Sequence, residues 1–132
     1  MIFVDSGAWY ALLVASDGNH RAADAWMSSN DESLIATDYV IDETLTLLRA
    51  RGERAKAIAF GRRMFDPNSP VIIHYVARAE IAAAWDVFQR YSDKEWSFTD
   101  CTSKVVMEAL GVTTAFAFDQ HFRQFGSAVV VP

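Results

Sequence analysis

The chain is 132 residues long, 52% hydrophobic and 22% charged, with a formal net charge of −5, which suits one domain with a full core and excludes the disordered class. No stretch approaches the ~18 consecutive apolar residues of a membrane span, and the N-terminus is unlike a signal peptide, since Asp5 interrupts the apolar run Met1-Ile2-Phe3-Val4 and no basic leader precedes it. A single cysteine, Cys101, excludes an intrachain disulfide and a Cys-rich zinc site, so reducing cytoplasm is the expected setting.

Strand and helix signals alternate along the chain. Residues 2–5 read as a short buried strand, and Ser6 then caps a helix to about Val14. Gly18 or Asn19 opens a second helix carrying Ala22, Ala23, Trp26 and Met27. Residues 33–36 form a short strand. Thr37 or Asp38 caps a longer helix with Val40, Ile41, Leu45, Leu47 and Leu48 at helical spacing, ended by Gly52. A further helix over 53–65 stops at Asp66-Pro67-Asn68. Residues 71–76 are rich in β-formers, and the next helix places Ile81, Trp85 and Phe88 on one stripe. Ser97 or Thr99 starts a helix to Leu110, with Val105, Val106, Ala109 and Leu110 as its buried face and Gly111 as its stop. A strand over 113–118, a turn or short helix over 119–125 and a last strand around 128–131 complete the chain. Helices between successive strands imply crossovers and a mainly parallel sheet. With no repeat and no linker, residues 1–132 are expected to form one doubly wound α/β domain.

Four carboxylates fall at strand ends or helix starts: Asp5, Glu43, Asp100 and Asp119. In a parallel sheet those places share one edge, outside the carboxyl ends of the strands, where such folds hold ligands. Ser6 suffices as a cap, so Asp5 has no structural task there. Glu43 shares a helix face with Val40 and Leu47, a costly place for an acid unless it is paired with an arginine or coordinates a cation; Asp42, in line with Asp38 and Thr46, reads as a solvated surface acid. Asp100 suits the first turn of a helix, where the macrodipole favours an anion by ~0.3–1 kcal/mol, and Asp119 suits an N-cap. Gathered at one edge, the four would repel one another without a cation between them.

Other residues bear on the same edge. Six of the twelve Lys and Arg residues lie between Arg49 and Arg63, opposed there only by Glu53, so a basic ridge able to hold a phosphate backbone competes with plain solvated helix faces. His20 and His74 read as packed or solvated. His121, beside the acids, could touch substrate or cap a turn. Cys101 falls on its helix's buried side with Val105. Trp9, Trp26 and Trp85 fit helix core positions, which leaves Trp96, in a polar loop, as the candidate for base stacking. Ser6 and Thr99, next to two of the acids, could hydrogen-bond them.

The segments Val4-Asp5-Ser6-Gly7-Ala8-Trp9, Asp42-Glu43-Thr44, Ser97-Phe98-Thr99-Asp100-Cys101 and Phe118-Asp119-Gln120-His121-Phe122 resemble, in order and over the whole chain, the motifs of the PIN-domain family, and more narrowly those of VapC-type toxins of bacterial toxin–antitoxin pairs. The resemblance implies a three-layer fold with a central parallel sheet flanked by helices, and a metal-dependent ribonuclease whose acids correspond to Asp5, Glu43, Asp100 and Asp119. It also implies a homodimer and a small antitoxin whose C-terminal tail lies across the active site. Carboxylate oxygens are hard ligands suited to Mg²⁺ or Mn²⁺. Asp5 and Asp100 are the expected direct ligands, with Glu43 and Asp119 completing the cluster at a second ion or through water. The expected reaction is in-line attack of an activated water on an RNA phosphodiester, leaving 5′-phosphate and 3′-hydroxyl ends.

Other readings compete. A haloacid-dehalogenase-like phosphotransfer site would place a second Asp at position 7, which is Gly. A receiver domain would need an acidic pair before a different strand and a late lysine. A catalytically silent RNA- or protein-binding module of the same fold, or a PIN nuclease of RNA processing, stays open.

Overall fold

A computed structural model describes all residues, 1–132. Its elements in chain order are β1 (Ile2–Val4), α1 (Ser6–Leu13), α2 (His20–Ser29), β2 (Leu34–Thr37), α3 (Asp38–Ala50), α4 (Arg54–Met64), β3 (Val71–His74), α5 (Arg78–Arg90), α6 (Phe98–Leu110), β4 (Thr114–Phe116), α7 (His121–Gln124) and β5 (Val129–Val131). Every strand pair is parallel, in the order β3-β2-β1-β4-β5. The expected parallel sheet is therefore wholly parallel. Winding runs from β1 outward to β3, then restarts beside β1 with β4. The switch point lies between β1 and β4, where Ile2, Phe3 and Val4 register with Thr114, Ala115 and Phe116.

Central β1 is buried on both faces, as a parallel strand covered by helices must be. Phe3, Phe116, Phe122, Val40 and Ile41 are wholly enclosed, and each such side chain contributes about 1.5–3 kcal/mol over leaving it in water. Trp26 packs on Phe116 with ring centroids 4.3 Å apart, and Trp9 on Phe60 at 5.4 Å. Trp26 thus seals α2 against the sheet, and Trp9 joins α1 to α4.

Several expectations need correction. The α1 N-cap position belongs to Asp5, not Ser6, and the Asp5 side chain makes no capping bond. Strand β3 stops at His74 because the next ladder donor is diverted: the Val76 amide donates to Asp38 Oδ1 at 2.9 Å. The cap of α3 is Thr37, whose Oγ1 accepts from the Val40 amide, and Asp38 in the first turn anchors the loop after β3. On α5 only Ala84 is fully enclosed, whereas Trp85 is 53% and Phe88 43% exposed. The stripe is real but only partly covered, with Ile81 half-buried and Phe88 meeting Phe98 of α6 edge-on at 6.2 Å, since helical spacing identifies an apolar face and not what meets it. On α6 the enclosed residues are Asp100, Cys101, Thr102, Ser103, Val106 and Met107, while Leu110 is exposed. Thr102 is tolerated inside because its hydroxyl donates to the Thr99 carbonyl at 2.6 Å.

Candidate active site

Asp5 leaves the carboxyl end of β1, its amide donating to the Phe116 carbonyl at 3.0 Å. It therefore hangs over the seam between β1 and β4, in the crevice where a doubly wound sheet binds ligands. Its carboxyl is buried, and its pKa is pushed from 3.8 to about 7. Burial is the largest cause, the charge of Asp100 the next, and Glu43 and Asp119 push the same way; a hydrogen bond from the Ser6 amide gives partial relief. Asp100, Glu43 and Asp119, separated in sequence, are thus all close enough to act electrostatically on Asp5.

Each of the other three is held by specific donors. Glu43, on α3, accepts a hydrogen bond from the Ser6 hydroxyl. No arginine pairs with it, so the ion-pair explanation fails and α1 is tied to α3 through the acid itself. Asp100 occupies the third position of α6 in a capping box, its Oδ2 accepting from the Ser97 amide at 2.9 Å while the Asp100 amide donates to Ser97 Oγ at 3.0 Å. Asp119 Oδ1 accepts from the His121 amide at 2.8 Å, which shapes the turn into α7. The two helix-start acids keep their structural duties and still face Asp5.

Ser6 and Thr99 were expected to bond the acids beside them in sequence. Ser6 bonds Glu43 instead, and Thr99 does not bond Asp100, whose partners are Ser97 and His121. The His121 ring is the residue sequence reasoning undervalued: Nδ1 lies 2.8 Å from Asp100 Oδ2 and 3.2 Å from Asp119 Oδ1. Its position two residues after Asp119 was the available signal. His20 Nδ1 donates to the Ala11 carbonyl at 2.7 Å, and His74 Nε2 pairs with Glu80 at 2.8 Å, so both are satisfied elsewhere. Trp96 is 6% exposed, and its indole donates to Gln124 Oε1 at 2.9 Å. It is core, and the base-stacking expectation is withdrawn. Cys101 is enclosed as expected, its thiol pushed up to about 11 by burial and then by the Asp100 charge.

An open crevice of about 370 Å³ runs along α3 from Asp42 and Glu43 past Thr46 and Leu47 to Ala50, with Thr99 on its far wall. On another face of α3, Arg49, Arg54 and Arg62 line a shallow cavity of about 330 Å³ against α4. The remaining cations disperse: Arg51 lies 4.8 Å over the Tyr10 ring, Lys56 pairs with Glu53 at 2.7 Å, and Arg63 borders an apolar groove. The basic stretch is thus a cluster of three arginines rather than a continuous ridge.

The donor set suits a hard divalent cation. All four groups supply oxygen, and the mutual repulsion that raises Asp5 is what a cation would relieve. No three His, Cys, Asp or Glu side chains converge into a ready cage, and Mg²⁺ needs none, since it retains several waters and takes one or two carboxylates.

A wholly parallel α/β sheet with acids over its switch point is the architecture that the family comparison meets: the PIN domain model matches residues 2–127. The chain belongs to the PIN-domain family. It is 35% identical over 133 residues to the 23S rRNA-specific endonuclease VapC20 from two strains of Mycobacterium tuberculosis, an alignment covering all of this chain and 99% of that protein. The crystal structure of M. tuberculosis VapC20, described as a sarcin–ricin loop cleaving toxin, superposes with a TM-score of 0.92 at 32% identity over the full length of both chains. FitAcB from Neisseria gonorrhoeae shares the fold, with a TM-score of 0.72 at 18% identity over all of this chain and 97% of that one.

Proposed function

We propose that this chain is a Mg²⁺- or Mn²⁺-dependent endoribonuclease, the toxin of a toxin–antitoxin pair, acting as a single PIN-like domain in the cytoplasm. The observation that carries the reading is Asp5: a buried carboxyl at the switch point of the sheet, driven up to about 7 by burial and by three other acids. A group so placed destabilises the resting fold and gains from cation binding, which marks a working site rather than a structural one.

Asp5 and Asp100 are the proposed direct ligands, with Glu43 and Asp119 completing the site directly or through water. The cation would lower the pKa of a water and polarise a phosphoryl oxygen. The chain's own residues supply the rest. Ser6 fixes the Glu43 carboxylate, Ser97 and His121 fix Asp100, and the crevice along α3 gives an RNA strand a path beside the acids. Arg49, Arg54 and Arg62 offer positive charge to a neighbouring phosphate. The likeness to VapC20 makes large-subunit ribosomal RNA the first substrate to try.

Two partners belong to the proposal. A homodimer is supported by the exposed aromatic pair Trp85 and Phe88 on α5, their rings stacked 5.8 Å apart. A small antitoxin is supported by the groove of about 460 Å³ lined by Trp9, Leu13, Met27, Phe60 and Met64, with Arg63 at its border. The test is cleavage of 23S rRNA and of its isolated stem-loops by the wild type and by Asp5→Asn, Glu43→Gln, Asp100→Asn and Asp119→Asn, with Mn²⁺ or with chelator. Cleavage lost in the Asp5 and Asp100 variants and in chelator supports the reading. Wild-type rates in all four variants would make the cluster structural, and RNA binding without cleavage would make the chain a binding module.

A further inference from the structure

His121 has no role in the scheme above beyond contact with Asp100, yet its geometry is specific. Nδ1 points between two carboxylates, 2.8 Å from Asp100 Oδ2 and 3.2 Å from Asp119 Oδ1. Both are acceptors when ionised, so this nitrogen carries the proton: it donates to Asp100 Oδ2 and holds Asp119 Oδ1 at ion-pair distance. Asp100 Oδ2 also takes the Ser97 amide, and Asp119 Oδ1 also takes the His121 amide at 2.8 Å. All protein donors therefore fall on one oxygen of each carboxylate, and Asp100 Oδ1 and Asp119 Oδ2 receive none.

The ring is itself braced. Helix α7 has four residues, too short to hold its own shape in water. It is seated by enclosed Phe122, whose ring lies 6.0 Å from Phe3 of β1 and 4.7 Å from Phe125. Phe125 in turn meets Trp96 edge-on at 5.2 Å, and the Trp96 indole holds Gln124. The aromatic bracket fixes α7 to the strand that carries Asp5, so the imidazole is presented at a set distance from the acids.

We infer that His121 is a positioning residue: through Nδ1 it clasps Asp100 and Asp119 together and commits one oxygen of each, leaving the opposite oxygens for the cation. The inference rests on the metal-dependent reading of the site. Asp119 needs the clasp most, because its side chain is 45% exposed and its other tether is a single amide. Removing the ring would leave two like charges to separate and the carboxylates to rotate, which weakens the cation site without altering how RNA meets the rest of the cleft.

The test uses the full-length chain with three substitutions, His121→Ala, His121→Asn and His121→Gln. The Asn amide nitrogen falls near the place of Nδ1, whereas the Gln nitrogen falls near Nε2. Mn²⁺ affinity is read by electron paramagnetic resonance without RNA, and cleavage by initial rates. The expected result is a 10–100-fold loss of Mn²⁺ affinity in the Ala and Gln variants, near-wild-type binding in the Asn variant, and a fall in kcat with KM for RNA little changed. Melting in chelator confirms that each variant folds, and if Ala does not, the Asn and Gln pair still decides. Equal Mn²⁺ binding by all variants overturns the inference, as does an Asn variant as weak as Ala. Failure of the wild type to bind Mn²⁺ at all would instead overturn the metal reading beneath it.

Discussion

Replacing Asp5 by Asn should abolish RNA cleavage and at the same time stabilise the cation-free protein. The folded carboxyl titrates near 7 and the unfolded one near 3.8, so between those values the native state holds a proton the unfolded chain has lost. Stability contributed by the protonated form is complete below pH 3.8 and declines as pH rises through about 7. At 1.36 kcal/mol per pH unit the whole shift amounts to about 4 kcal/mol, of which roughly 2–3 kcal/mol is lost between pH 5 and 7. Asn resembles the neutral acid and carries no such slope. With an unfolding entropy of about 2.1 cal/mol/K per residue over 132 residues, the full loss of about 4 kcal/mol at pH 8 means that the variant should melt about 15 °C above wild type in chelator, and the gap should narrow towards pH 5. Calorimetry or circular-dichroism melts at pH 5, 6, 7 and 8 with excess EDTA measure this. Saturating Mn²⁺ should raise the wild-type Tm and leave the variant unmoved. A variant that melts with or below wild type at pH 8, with no pH dependence in the difference, would refute the argument that Asp5 is a repelled, cation-seeking acid.

Ser6→Ala removes the hydroxyl that Glu43 accepts from; kcat should drop about tenfold or more while Tm changes by only a few degrees, as steady-state kinetics and melting will show. Trp96→Phe keeps most of the ring but loses the bond to Gln124, costing about 0.5–1.5 kcal/mol in urea denaturation and lowering activity through α7. Cys101, with its thiol pushed up to about 11 inside the core, should resist Ellman's reagent at pH 8 in the native protein and react fully in denaturant. Trp85→Glu combined with Phe88→Glu should abolish the proposed dimer in sedimentation velocity without lowering the melting temperature of the single chain, since both rings are exposed in it.

Asp5, Asp100 and Asp119 stood out because each sits where the chain changes from one element to the next, places a parallel sheet collects along one edge; Glu43, in the second turn of α3, stood out by sharing a face with apolar residues instead. Their partners did not, because side-chain bonds here skip the nearest neighbour in sequence. Ser6 serves Glu43 on another helix rather than Asp5 beside it, and Asp100 is met by a histidine from after β4. Tryptophan placement failed in both directions for a related reason. Trp85 lies exposed on a regular stripe that is only partly covered, and Trp96 lies in a polar stretch folded under α7. Periodicity reports the face a residue occupies on its own element; burial depends on what another element brings to that face. The Asp38 bond to Val76 shortens β3 for the same reason, since a distant carboxylate takes a donor that local pattern assigns to the ladder.

The register of β1 with β4 pairs Ile2 with Thr114 and Val4 with Phe116, which sets when in folding the acid cluster can form. Asp5 and Asp119 lie 114 residues apart in sequence, and the seam between β1 and β4 closes only when β4 docks. Such non-local pairing is the slow, late part of folding. Until β4 pairs with β1, Asp119 is not held beside Asp5, so the acid cluster is completed by a late step of folding rather than by any local element.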